Sequence, residues 1–178
     1  MARYPLNPRW TPTHVEQALT IVTDTILLLP VRSAWTQGAN ARDRHSHPVC
    51  HLSPRAVRWC LTAALLRAEH DRFQRQPTWA DEGFEYESMS RPLRLALETV
   101  GVTLMAVLHY EQADLDVRTE LVALKGTDLA VARIRTAAIL PRLQDDRGCR
   151  YGHIRRALLL SWVALDHRLK DQSARDLG

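Results

Sequence analysis

Lysine is almost missing from this sequence. Only Lys125 and Lys170 are lysines among 24 basic residues; the other 22 are arginines. A GC-rich genome produces that skew as readily as a polyanionic partner does. The formal net charge of +4 therefore supports only weak attraction to polyanions. Cysteine is scarce as well: Cys50, Cys60 and Cys149 are odd in number and irregular in spacing. That excludes a disulfide framework and points to a reducing compartment. Long apolar runs are also missing. The longest, Ala157 to Leu165, is broken by Ser161 and is too short to span a bilayer. The opening MARYPLNPRW has no apolar core of the kind a secretory signal needs. No G-x-G-x-x-G, phosphate loop, C-x-x-C or H-E-x-x-H occurs, and no Ser-His-Asp or Cys-His spacing is readable. The paired carboxylates Asp81-Glu82 and Asp145-Asp146 read as solvated loop residues. These absences predict a soluble bacterial cytoplasmic protein with no cofactor and no membrane partner.

What is present is an ordinary globular balance, 46% hydrophobic and 25% charged over 178 residues. A chain of this length buries roughly 70% of its unfolded surface and needs no staples. The expected fold is mainly α: a compact bundle of five or six helices with room for one short strand pair. Residues 1–13, with Pro5, Pro8 and Pro12, read as an extended arm pinned by Tyr4 and Trp10. Residues 14–140 form the helical core, and 141–178 a C-terminal helix packed on it. Thr13-x-x-Glu16 reads as a capping box ahead of Val15, Ala18, Leu19, Val22, Ile26 and Leu29 at helical spacing. Ser53-Pro54 reads as the start of a second helix running to about Gln74. Residues 75–89, with Trp79, Phe84 and Tyr86, read as a long acidic loop. Ser90 caps a third helix whose apolar face extends past Gly101 to Leu108, although 102–108 also suits a short strand. Further helices are expected from Asp114 or Asp116 to Lys125 and from Thr127 or Asp128 to Leu140, with a turn over 141–149. The last helix, 151–170, carries Ile154, Ala157, Leu158, Ser161, Trp162, Leu165 and Leu169. Leu159, Leu160 and Val163 add a second apolar face, which predicts a central position or burial in a homodimer.

The densest chemistry lies between Trp35 and Cys60. Trp35, Gln37, Arg42, Asp43 and Trp59 are the candidate binding residues. Gly38 permits a tight or left-handed turn, and Gln37, Asn40, Arg42 and Asp43 bring donors and acceptors together. The competing reading is a latch, in which Gln37 and Arg42 bond backbone carbonyls over Trp35. His45, His47, Cys50 and His51 have the donor types zinc takes. Adjacent side chains there point apart, so a closed site would need a remote ligand such as His14, His70 or Cys149. Cys60 reads as a buried small hydrophobe beside Trp59. Late in the chain, Arg147, Arg150, Arg155 and Arg156 form a candidate nucleic-acid patch, joined by Arg142, Arg168 and Lys170 and preceded by Arg133 and Arg135.

Trp35-Thr36-Gln37-Gly38, Ala41-Arg42-Asp43 and Pro54-x-Ala56-Val57-x-Trp59-Cys60-x-x-x-Ala64 resemble a small bacterial and phage family of unknown function. Its pattern is W-x-Q-G-x-x-A-R-D followed by A-x-x-W/F-C. The stretches Ala106–Tyr110 and Arg118–Leu124 resemble its second half, with His109-Tyr110 where W-N is usual. The resemblance covers about residues 14–135 and implies a fold and a compartment but no activity. The expected function is that of a non-enzymatic cytoplasmic binding protein engaging a protein or nucleic acid. The alternatives are a small-molecule-binding protein or enzyme with its pocket at the Trp35–Asp43 loop, and a zinc-binding protein.

Overall fold

The computed structural model describes residues 10–75, 89–110, 140–145 and 147–176. The arm around Tyr4, the aromatics Trp79, Phe84 and Tyr86, the helices expected between 114 and 139, and Arg118, Arg133 and Arg135 lie outside them. The architecture is mainly helical with one small sheet, as composition and periodicity predict. Helix α1 spans Pro12–Leu28, α2 Leu61–Phe73, α3 Arg91–Tyr110 and α4 Tyr151–Asp176. Between α1 and α2 come a 3₁₀ turn, Arg32–Ala34, and three two-residue strands: β1 Ala41–Arg42, β2 Pro48–Val49 and β3 Arg58–Trp59. The strands form one antiparallel sheet in the order β2-β1-β3.

Two helix starts fall elsewhere than the sequence predicts. The capping box of α1 is built on Thr11, not Thr13. The Thr11 hydroxyl accepts from the His14 amide, and the His14 ring accepts from the Thr11 amide at 3.2 Å. Pro12 then takes the first helical position, where its missing N–H costs nothing. Ser53-Pro54 does not open a helix. Ser53 Oγ accepts from the Arg55 amide and its carbonyl accepts from Ala56, so the residues make a turn leading into β3. Helix α2 begins eight residues later, capped by the Cys60 thiol, which accepts from the Ala63 amide at 3.4 Å.

Helix α3 is continuous through Gly101, and 102–108 is helical rather than strand. Val100, Leu104, Val107 and Leu108 are buried while Val102 and Ala106 are exposed, the alternation that 3.6 residues per turn produces. Ser90 caps α3 by accepting from the Leu93 amide, as its position predicts. The expected turn over 141–149 is helical through 145 and turns at 147–148.

The core is one cluster to which every described helix contributes, including Ile21, Leu65, Leu97, Leu104, Leu143, Ile154 and Leu165. Helix α1 runs beside α4 with opposite direction. Trp10, just before α1, accepts from Gln172 near the end of α4, and Leu29, just after α1, accepts from Tyr151 at its start. Helices α3 and α4 meet at small hydroxyls: Thr103 Oγ1 and Ser161 Oγ lie 2.6 Å apart, and Thr103 also reaches the Ala157 carbonyl. Ser161 is fully buried, which explains why a polar residue interrupts the apolar run there.

Candidate functional site

The Trp35–Cys60 stretch folds back on itself around β1. Most of its polar contacts stay within the protein, although the buried Trp35 Nε1 has no hydrogen-bond partner among the described residues. Thr36 N donates to the Trp59 carbonyl and Cys60 N to the Asn40 carbonyl, closing the stretch at both ends. Gly38 adopts φ +68°, the left-handed conformation that glycine tolerates without strain. Its amide donates to Asp145 Oδ1 at 3.0 Å. Gln37 Nε2 donates to the Gln144 carbonyl at 2.6 Å and to the Cys149 carbonyl at 3.4 Å. Gln144 returns the contact: its side-chain oxygen accepts from the Thr62 amide in the first turn of α2. Residues 37–38, 60–63 and 144–149 are thereby tied together from three parts of the chain.

Arg42 and Asp43 point to different partners. Arg42 Nε donates to Thr36 Oγ1 at 3.0 Å and its Nη1 to the Ser46 carbonyl at 2.8 Å. Asp43 is buried at the turn between β1 and β2. One carboxylate oxygen accepts from the His45 and His47 amides and the other from Arg55 at 2.7 Å. Burial alone would raise the Asp43 pKa, but the Arg55 guanidinium and the two amides outweigh it and hold the carboxyl down at about 2. Trp59 Nε1 donates to the His51 carbonyl, and the Trp35 ring lies 6.4 Å from the Tyr151 ring. Of the five candidate binding residues, Arg42 and Trp59 lie on the sheet, Asp43 follows β1 in the turn, Gln37 reaches 144–149, and Trp35 packs by Tyr151 with its buried Nε1 unpartnered among the described residues.

The chain matches no family model, no curated protein and no solved structure. Its own geometry is what bears on function.

The histidines and cysteines of the loop do not converge. Among the described residues no three His, Cys, Asp or Glu side chains gather closely enough to hold a metal ion. The His45 and His47 rings are 6.1 Å apart, and His51 is buried against Cys50, with 3.9 Å between Nδ1 and Sγ. Desolvation, with Arg67 and His70 nearby, lowers the His51 pKa to about 4. Cys60 is buried, and that burial pushes its thiol up, away from the thiolate a nucleophile needs.

The late arginines Arg147, Arg150, Arg155 and Arg156 are all exposed around the first turns of α4. Arg155 Nη1 donates to the Pro30 carbonyl, which fixes this end of α4 beside the end of α1. Arg155 and Arg156 do not stand apart from apolar surface. With Gly152 they flank an open groove lined by Leu159, Leu160 and Val163. Leu159, Leu160, Trp162 and Val163 are 38–47% exposed on α4, whereas Leu158 and Leu165 are buried, and the Trp162 indole donates to Thr23 Oγ1 on α1. The second apolar face of α4 is therefore outward.

Sequence reasoning missed Thr36, Ser46, Arg55, Gln144 and Asp145, which complete the loop's hydrogen bonds. Gln144 and Asp145 lie more than 80 residues from the groups they contact, and no local signal could have paired them.

His51 and Asp43, whose shifts are the large ones, predict two steps in the acid profile. The folded-state pKa of His51 is below its ordinary 6.5, so its contribution to stability is complete above pH 6.5. It is lost as pH falls toward 4, because the unfolded chain takes the proton first. The Asp43 contribution is complete above 3.8 and is lost as pH falls through 2. Urea midpoints across pH will show both steps. His51→Gln will flatten the first and Asp43→Asn the second; a profile unchanged by either substitution contradicts the assignment.

Proposed function

We propose that this chain is a non-enzymatic cytoplasmic binding protein that engages a protein partner through the outward face of α4. One observation carries the reading. Three large apolar side chains, Leu159, Leu160 and Val163, line an open groove flanked by Arg155 and Arg156. Contiguous exposed apolar surface with a polar rim is the usual mark of a docking site. The loop that first suggests a pocket supports the reading from the other side, because Gln37, Arg42, Asp43 and Trp59 are engaged with the protein's own groups. Among the described residues no helix is long and apolar enough to cross a membrane. Shared ancestry with the small bacterial and phage family belongs to this proposal and rests on the motif residues alone.

A photo-crosslinking side chain placed at Leu159, and separately at Leu27 on α1 as an exposed control, tests the face in living cells. A discrete protein band from position 159 and none from position 27 is expected. No band from 159, or the same bands from both, contradicts the reading.

Nucleic-acid binding is the second reading, favoured by the exposure of Arg147, Arg150, Arg155 and Arg156 around one helix end. If those four contact phosphates, affinity for duplex or single-stranded DNA will fall steeply with salt, and reversing two of the charges will reduce that dependence. Binding that does not change with salt, or no binding, removes this reading.

A further inference from the structure

We infer that the outer face of the small sheet is a binding site for a phosphomonoester group, held between the guanidiniums of Arg42 and Arg58. The site involves no residue of α4. Strand register sets the pair: Arg42 on β1 stands directly opposite Arg58 on β3. Ala41, just before Arg42, is fully buried, so alternation along the strand turns Arg42 and Arg58 to the outer face. Residues directly opposite in an antiparallel pair share a face, with Cβ atoms about 4.5–5.5 Å apart, and like charges placed so repel. Both side chains then converge on Ser46, in the turn between β1 and β2. Arg42 Nη1 donates to the Ser46 carbonyl at 2.8 Å, and Arg58 Nη1 donates to the Ser46 hydroxyl at 3.1 Å. Ser46 adopts φ +68°, a left-handed conformation that residues other than glycine seldom take.

Two positive charges thus share one serine, and no carboxylate answers them. The other printed-out donor of Arg42, its Nε, goes to the Thr36 hydroxyl, a neutral group. Asp43 is the one acidic residue from 25 to 68, and it is taken by Arg55 and the His45 and His47 amides. Among the described residues neither Arg42 nor Arg58 pairs with a carboxylate. A like-charge pair that the fold holds in place without a counter-ion is suited to an anion, and both guanidiniums are half-buried, where salt screens them less. Ser46 and Pro48 beside them are exposed, so a ligand can reach the face. Charge selects the anion. A phosphomonoester carries roughly −1.5 to −2 at neutral pH and offers three acceptor oxygens, enough to neutralise both guanidiniums and accept from each. A carboxylate or a phosphodiester brings a single charge and leaves the pair half neutralised.

Thermal unfolding of the full chain with phosphoserine, inorganic phosphate, dimethyl phosphate or acetate, at matched ionic strength, tests the inference. Phosphoserine and inorganic phosphate are expected to raise the wild-type melting temperature, and the other two to leave it unchanged. Arg58→Gln is expected to weaken phosphoserine binding at least about tenfold, whereas Arg32→Gln on the 3₁₀ turn keeps it. Without ligand, Arg58→Gln should melt no lower than the wild type, because it relieves the repulsion. A lower melting temperature with the phosphoserine response intact would make Arg58 a structural fastening and overturn the site. NMR of the wild type needs no variant: the Nε–H signals of Arg42 and Arg58 are expected to move with phosphoserine. No movement at either signal overturns the site. An equal response to acetate or dimethyl phosphate overturns the phosphomonoester assignment.

Discussion

Replacing Leu104 with alanine will lower the free energy of unfolding by roughly 2–5 kcal/mol. Leu104 is fully buried in α3, in the cluster shared by α1, α2 and α4. Deleting its isobutyl group removes apolar burial and leaves a cavity. The close Thr103–Ser161 contact next to it limits how far α3 and α4 can collapse to fill that space. For a chain of this size the melting temperature falls by about 2–4 °C per kcal/mol, so a drop of roughly 5–15 °C is expected. Val102→Ala, two residues away, is the control. Val102 is half exposed on the opposite side of the helix, and its truncation should cost no more than about 0.5 kcal/mol. The contrast is diagnostic of secondary structure. A strand over 102–108 would put residues 102 and 104 on one face and make the two substitutions similar. Paired urea titrations of the two variants measure it.

Gln144→Ala is the second large effect, expected at roughly 1–3 kcal/mol, because it leaves a buried partner unsatisfied. The Gln144 side chain is almost fully buried, and its oxygen accepts from the Thr62 amide, which has no partner within its own helix turn. The Gln144 carbonyl receives Gln37 from the motif loop. Truncating the side chain removes the first bond and loosens the second. Thr62 sits one residue after the start of α2, where the Cys60 thiol is a weak cap. The first turn of α2 should therefore fray before the helix as a whole melts. Gln144→Glu separates size from charge. It keeps the acceptor but cannot avoid placing a carboxylate near Asp145, so it should recover only part of the loss.

The sequence shows the helices well and their polar fastenings poorly, for a physical reason. Helical periodicity is local, so the faces of α1, α3 and α4 can be read from residues three and four apart, and Ser90 declares its cap within three residues. The start of α2 misleads because Ser-Pro serves a turn as well as it serves a helix N-terminus, and Cys60 caps with a group seldom considered for that role. At α1 the Thr13-x-x-Glu16 spacing misleads, because Pro12 takes the first helical position and puts the cap at Thr11. The Trp35–Asp43 motif is conspicuous in the sequence, but the direction of its side chains depends on Gln144, Asp145 and Cys149, which only the fold brings near. The histidines are close in sequence without being close in the geometry a metal needs. The second apolar face of α4 is readable from composition, whereas its outward orientation depends on how α1 and α3 take up the other face.

Hydrogen exchange on the Gln37→Ala protein tests most directly whether the Trp35–Cys60 loop is a latch. If Gln37 fastens the loop to residues 144–149, truncation will speed exchange of the Thr36 and Cys60 amides together with Thr62 and Ala63 at the start of α2. Exchange in the middle of α3 will change only as much as global stability does. Unchanged protection at those four amides, with wild-type stability, would contradict the latch and return Gln37 to the role of a ligand-binding residue.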